Sequence, residues 1–138
     1  MIAAPELTQS AEEAIAESNR RFADAAARGD AGGMASVYAI DAELLPPNAE
    51  ALRGPAAIEH FWARSIELGI CGIEVETLRL VQAEGLAYEI GRYTLHVTAE
   101  AVAPVADVAS YFVVHKRRRD GSWQRATESF AWVAPLTD

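Results

Sequence analysis

The chain has 138 residues, 51% of them apolar, and carries a formal net charge of −8 at pH 7. That length bounds it to a single domain. The acidity argues against a general nucleic-acid binder, and no apolar run approaches the roughly 20 residues of a membrane span.

The first predicted element is a helix. Ser10 and Glu13 form the S-x-x-E capping pattern, and Ile15, Phe22, Ala25 and Ala26 then recur near helical spacing. Gly29 ends it and Asp30 caps a second helix through Met34, Val37 and Tyr38. A short strand, Ala42 to Leu45, stops at Pro46-Pro47, because proline cannot donate to a ladder. Pro55 opens a third helix carrying Ile58, Phe61, Trp62 and Ile66, closed by Gly69.

The period then changes to two. Ile73 and Val75 alternate with Glu74 and Glu76, whereas Leu78 and Leu80 take the opposite phase, which predicts a bulge between Glu76 and Leu78. After a turn at Ala83-Glu84-Gly85 a strand runs from Leu86 to Val97. A looser stretch, Thr98 to Ala106, leads to a strand from Val108 to Arg118. Asp120-Gly121 makes a hairpin turn into the last strand, Trp123 to Val133, with a loose tail from Ala134. Helices segregated from strands indicate an α+β fold in one domain spanning 1–138, with an ordered core of about 10–133.

Several chemistries lack their residues. Cys71 is the single cysteine, which excludes an intrachain disulfide and a thiolate-rich zinc site. His60, His96 and His115 are scattered and form no metal-binding motif, so no metal and no cofactor is expected. The opening MIAAPELTQSAEEA has neither the basic nor the apolar region of a secretory signal, and a cytoplasmic protein is the expectation. Five of the twelve basic residues fall between 116 and 125; the run Lys116 to Arg119 reads as a solvated hairpin rather than a phosphate-binding surface.

The ordered segments Phe22 to Asp30, Tyr38 to Pro47, Arg53 to Ile58, Ala87 to Leu95 and Val113 to Trp123 resemble the SnoaL-like and ketosteroid-isomerase-like branch of the nuclear transport factor 2-like superfamily. The resemblance implies a cystatin-like α+β barrel: a cone-shaped, curved antiparallel sheet wrapped around three N-terminal helices, with an apolar pocket at one end and a homodimer formed through the outer sheet face. Ketosteroid isomerases use a carboxylate base and hold the oxyanion with a Tyr and a protonated acid. Counted along the resemblance, those positions fall on Pro46, Phe22 and Val113, none of which exchanges a side-chain proton.

Strand parity then supplies the candidate site. Tyr111, Val113 and His115 share the inward face of one strand, and Glu128 and Phe130 share a face with Ala126 and Trp132. Tyr88, Ile90, Arg92 and Thr94 share a face of the strand between, so Glu128 is expected to oppose Arg92 inside the cavity. As a catalytic set, Glu128 is the acid/base, Arg92 orients or binds an anion, and His115 shuttles protons near the mouth. The same Glu128–Arg92 pair also reads as a structural ion pair, and His115 as a half-exposed strand residue. The pocket is expected to be lined by Phe22, Leu44, Phe61, Tyr88, Ile90, Tyr111, Val113 and Phe130.

The functional expectation is a pocket protein for a small apolar molecule, with cofactor-free isomerase, cyclase or hydratase chemistry if it is an enzyme. The alternative is a non-catalytic ligand-binding or dimerisation module. A cavity filled by Trp and Phe favours the module, whereas an open one exposing Glu128 favours a catalytic ligand site.

Overall fold

The computed structural model describes residues 10–99 and 102–133. Its first helix, α1 (Ala11–Ala27), starts on the capping box read from sequence: the Ser10 side chain accepts from the Glu13 amide and Glu13 reaches back to Ser10. Asp30 caps the five-residue α2 (Ala31–Ala35) by accepting from the Gly33 amide. The third helix, α3 (Pro55–Glu67), has Pro55 at its start and buries Ile58 and Trp62.

Six strands complete the chain: β1 (Tyr38–Leu45), β2 (Leu52–Arg53), β3 (Ile70–Ala83), β4 (Leu86–Ala99), β5 (Val102–Arg117) and β6 (Trp123–Trp132). They form one sheet in the order β2-β1-β6-β5-β4-β3, antiparallel except where β1 runs parallel to β6. The fold is α+β, a curved sheet whose concave side holds the helices. No helix among the described residues is long and apolar enough to cross a membrane.

Two boundaries differ from the sequence reading. The second helix ends before Val37, and β1 begins at Tyr38 rather than Ala42. Gly32-Gly33 propagates a helix poorly, while the Val37 carbonyl accepts from the Arg125 amide at 2.9 Å and draws the chain into the sheet. Strands β4 and β5 also extend into the stretch read as loose, pairing Val97 with Val105 and Ala99 with Val102. Residues 100 and 101 of that stretch, and the tail from 134, lie outside the described residues.

The expected bulge in β3 is present, between the pairs Thr77↔Gly91 and Arg79↔Ile90. Thr77 continues the inward parity of Ile73 and Val75, and the extra residue, Leu78, brings Leu80 onto the same face. A second irregularity, between the pairs Val114↔Thr127 and His115↔Arg125, leaves Ala126 unpaired on β6. Arg125 and Glu128 thereby both face inward, which simple alternation forbids for residues three apart.

The main core gathers Phe22, Tyr38, Trp62, Tyr93, Tyr111 and Phe130 with aliphatic neighbours from every layer. A smaller cluster of Ala11, Ile15, Ala87 and Trp123 closes the other end. Gly91 governs how the two sides of the sheet interior meet. A Cβ there would overlap the end of the Tyr111 ring and sit 2.5 Å from the Glu76 carbonyl oxygen. The Tyr111 ring lies across the bare backbone of β4 because residue 91 has no side chain. Gly91→Ala is accordingly expected to destabilise the fold by about 3 kcal/mol, read as a lower urea midpoint; an unchanged midpoint contradicts this packing.

Candidate functional site

Two buried carboxylates organise the interior. Glu128 on β6 is fully buried and accepts from three donors: Tyr38 Oη at 2.6 Å, Arg125 Nη1 at 2.7 Å and Tyr93 Oη at 2.8 Å. Glu89 on β4 is also fully buried. It accepts from Thr77, Tyr111 and Asn19 through one oxygen, and its other oxygen lies 2.8 Å from His115 Nε2.

Arg125 joins the two groups. Besides Glu128 it donates to Tyr93 Oη at 2.6 Å, and its Nη2 donates to Asn19 Oδ1 at 2.9 Å, while Asn19 Nδ2 donates onward to Glu89. Its guanidinium lies 4.5 Å from the Phe22 ring centroid, a cation–π distance. Elements distant in sequence meet here: Asn19 and Phe22 share the buried face of α1, Tyr38 opens β1, and Arg125 is turned inward by the β6 irregularity.

The protonation pattern follows from burial and partners. Burial raises the Tyr38 phenol and the Glu128 carboxylate raises it further, so Tyr38 stays a neutral donor. Burial also raises Tyr93 and Tyr111. Burial alone would push Glu89 up, but hydrogen bonds from His115, Thr77 and Tyr111 and the field of Arg125 hold it at about 2. His115 moves down, burial outweighing its bond to Glu89. It is therefore a neutral imidazole donating from Nε2, which leaves buried Nδ1 without a partner among the described residues.

A slot of about 190 Å³ lies at the open end of the sheet, between Pro46-Pro47, α3 and the end of β6. Phe61, Trp62, Phe130 and Trp132 supply its aromatic walls. Trp62 and Phe130 also face the interior: Trp62 Nε1 donates to Tyr38 Oη at 3.3 Å, and Phe130 packs edge-on to Tyr93 at 6.0 Å. These two rings stack at 5.9 Å and separate the slot from Glu128.

Of the residues singled out in sequence, Glu128, His115, Tyr111, Val113, Phe22, Leu44 and Phe130 point inward and are buried, and Phe61 is half-buried in the slot wall. Five are placed differently from expectation. Arg92 lies on the outer face, 3.4 Å from Glu76 and paired across to Ser110, so it cannot reach Glu128. Tyr88 stacks on Phe112 outside the sheet, and Ile90 is 37% exposed there. The inward face of β4 carries Ala87, Glu89, Gly91, Tyr93 and Leu95 instead. His115, expected near the mouth, is sealed against Glu89. Trp132, expected to share the inward face, is 48% exposed at the slot rim.

The residues that sequence reasoning missed are Asn19, Tyr38, Thr77, Glu89, Tyr93 and Arg125. The signal for β4 was its apolar second half: Tyr93 and Leu95 belong to the parity of Glu89, and Gly91 between them marks a close approach. Arg125 had no such signal, because its inward turn depends on the irregularity at Ala126. Among the described residues no cluster of His, Cys, Asp and Glu could hold a metal ion.

Comparison with known proteins places this architecture. The model of the SnoaL-like domain matches residues 19–126, and the chain belongs to that family. Among solved structures, a ketosteroid isomerase-like protein from Erwinia carotovora atroseptica superposes with a TM-score of 0.77 at 18% identity, over 88% of this chain and 95% of that one. A domain of unknown function with a cystatin-like fold from Nostoc punctiforme gives 0.76 at 19% identity, over 94% and 82%. A candidate dehydratase of the nuclear transport factor 2-like family from Streptomyces avermitilis gives 0.72 at 14% identity, over 90% and 97%. Among curated proteins none matches this chain.

Acid should loosen this interior in two stages. The folded His115 value lies below its unfolded value of about 6.5, so the unfolded chain takes up that proton first. Stability present above about pH 6.5 therefore falls as the pH drops below it. The depressed Glu89 contributes stability present above its ordinary value of 4.5 and lost as pH falls toward about 2, on the order of 3 kcal/mol. Urea unfolding across pH should show both declines, and His115→Gln should flatten the one that begins below about pH 6.5. A variant profile parallel to that of the unaltered protein would contradict the assignment.

Proposed function

We propose that this SnoaL-like domain binds a small apolar molecule in the aromatic slot, and that its buried carboxylates hold the frame rather than transfer protons. The observation that carries this reading is the sealing of Glu128. Its carboxylate is fully buried and surrounded by Tyr38, Tyr93 and Arg125, and the Trp62–Phe130 stack stands between it and the slot.

A general acid or base must come within hydrogen-bond reach of the proton it moves. Glu128 would meet a ligand in the slot only after Trp62 and Phe130 moved apart. The positions equivalent to the isomerase machinery carry Phe22, Pro46 and Val113, so the usual route to isomerisation has no side chain to run on. This favours the ligand-binding module over the isomerase, cyclase or hydratase reading. No metal or cofactor enters the proposal.

Glu128→Gln separates the two. The slot walls stay in place, so affinity for an apolar fragment, followed by Trp fluorescence, should stay within about twofold, while the stranded Arg125 charge lowers stability by about 3–5 kcal/mol. Turnover of a compact hydroxy or enone substrate that the substitution abolishes would instead establish Glu128 as catalytic.

The proposal includes a homodimer through the outer sheet face. Tyr88, Ile90 and Phe112 lie there with Val81 and Leu86, and Leu86 and Phe112 are 49% and 41% exposed. Such a contiguous apolar patch marks an association surface. Phe112→Glu should convert the dimer to a monomer in sedimentation velocity; a monomeric unaltered protein would remove this element.

A further inference from the structure

We infer that the slot takes a neutral, single-ring aromatic molecule, and that Phe61 and Trp132 set this size limit. The inference rests on the ligand-binding reading above and narrows it to a chemical class.

Charge is excluded first. Among the described residues no Asp, Glu, Lys, Arg or His lines the slot. The polar groups at its wall are already engaged: Ser65 Oγ donates to the Phe61 carbonyl at 2.9 Å, and Trp62 Nε1 donates inward to Tyr38. A carboxylate or ammonium entering the slot would lose its hydration without gaining a partner.

Volume sets the second limit. An apolar cavity of about 150 Å³ accepts benzene. A slot of about 190 Å³ therefore suits one substituted ring and is too small for a fused four-ring skeleton. Shape is the third constraint. Phe61 stands at 78° to Trp62, and Trp132 at 88° to Phe130, with centroids 4.9 and 6.2 Å apart. A planar ring entering this frame can meet both faces and edges, the arrangements aromatic pairs prefer. It would also cover Trp132, which stands half in solvent at the rim.

Trp emission and thermal melting of the full chain with toluene, benzoate and a four-ring steroid test the inference. Toluene should shift the emission saturably and raise Tm by about 4 °C at ten times its Kd. Benzoate at neutral pH should bind at least about 100-fold more weakly, and the steroid should have no effect. Ser65→Phe, which fills the slot from the half-buried face of α3, should abolish the toluene response while leaving the fold intact by circular dichroism. Phe61→Ala should admit naphthalene.

Binding of the steroid or benzoate in preference to toluene, still blocked by Ser65→Phe, overturns the ligand class and leaves the ligand-binding reading standing. A toluene response that survives Ser65→Phe overturns the placement in the slot. Absence of any response from the whole panel overturns both.

Discussion

A single buried cation, Arg125, holds the interior of this domain together. Its guanidinium grips Glu128 directly and reaches Glu89 through Asn19, so one charge on β6 ties together α1, β1 and β4. Burying an arginine is unfavourable unless its charge and donors are met. Here Glu128, Tyr93 and Asn19 accept from its two Nη groups and Phe22 offers its ring face to the cation, while buried Nε has no partner among the described residues. Removing one member of such a pair strands the other, at roughly 3–5 kcal/mol. That penalty makes the sealed interior a fixed part of the fold.

The same packing separates the buried polar network from the slot. The aromatic residues are shared between two environments, with Trp62 and Phe130 turning one side to the polar network and the other to the slot. The polar network fixes the positions of these two rings, and the rings give the slot its walls. The middle of the fold is thus filled by packed side chains, and an apolar recess is left between Pro46-Pro47, α3 and the end of β6.

Much of the fold was legible in sequence because its signals are local. The Ser10–Glu13 capping box, Pro55 at the start of α3, the Asp120-Gly121 hairpin and the phase change in β3 each act within a few residues. The site was less legible because it depends on which face each strand turns inward. On β5 alternation placed Tyr111, Val113 and His115 correctly on the inner face. On β4 the parity was set by Tyr88 and Ile90, which belong to the exposed patch, while the inward face carries a carboxylate and a glycine that hydrophobicity alone would place outside. On β6 the irregularity at Ala126 put Arg125 and Glu128 on one side together, and only the pairing with β5 reveals it. The excess of alanine, 28 residues of the chain, also has a place here: small side chains let α1 sit close against the sheet, leaving the interior to the aromatic and charged groups.

The central claim is that ligand recognition and the buried carboxylates occupy separate compartments. A crystal structure of the protein soaked with toluene tests it most directly. The account predicts density between Phe61, Trp132 and Pro46-Pro47, with Tyr38, Glu128 and Arg125 keeping their mutual hydrogen bonds. Density in contact with Glu128, with Trp62 and Phe130 swung apart, would contradict it.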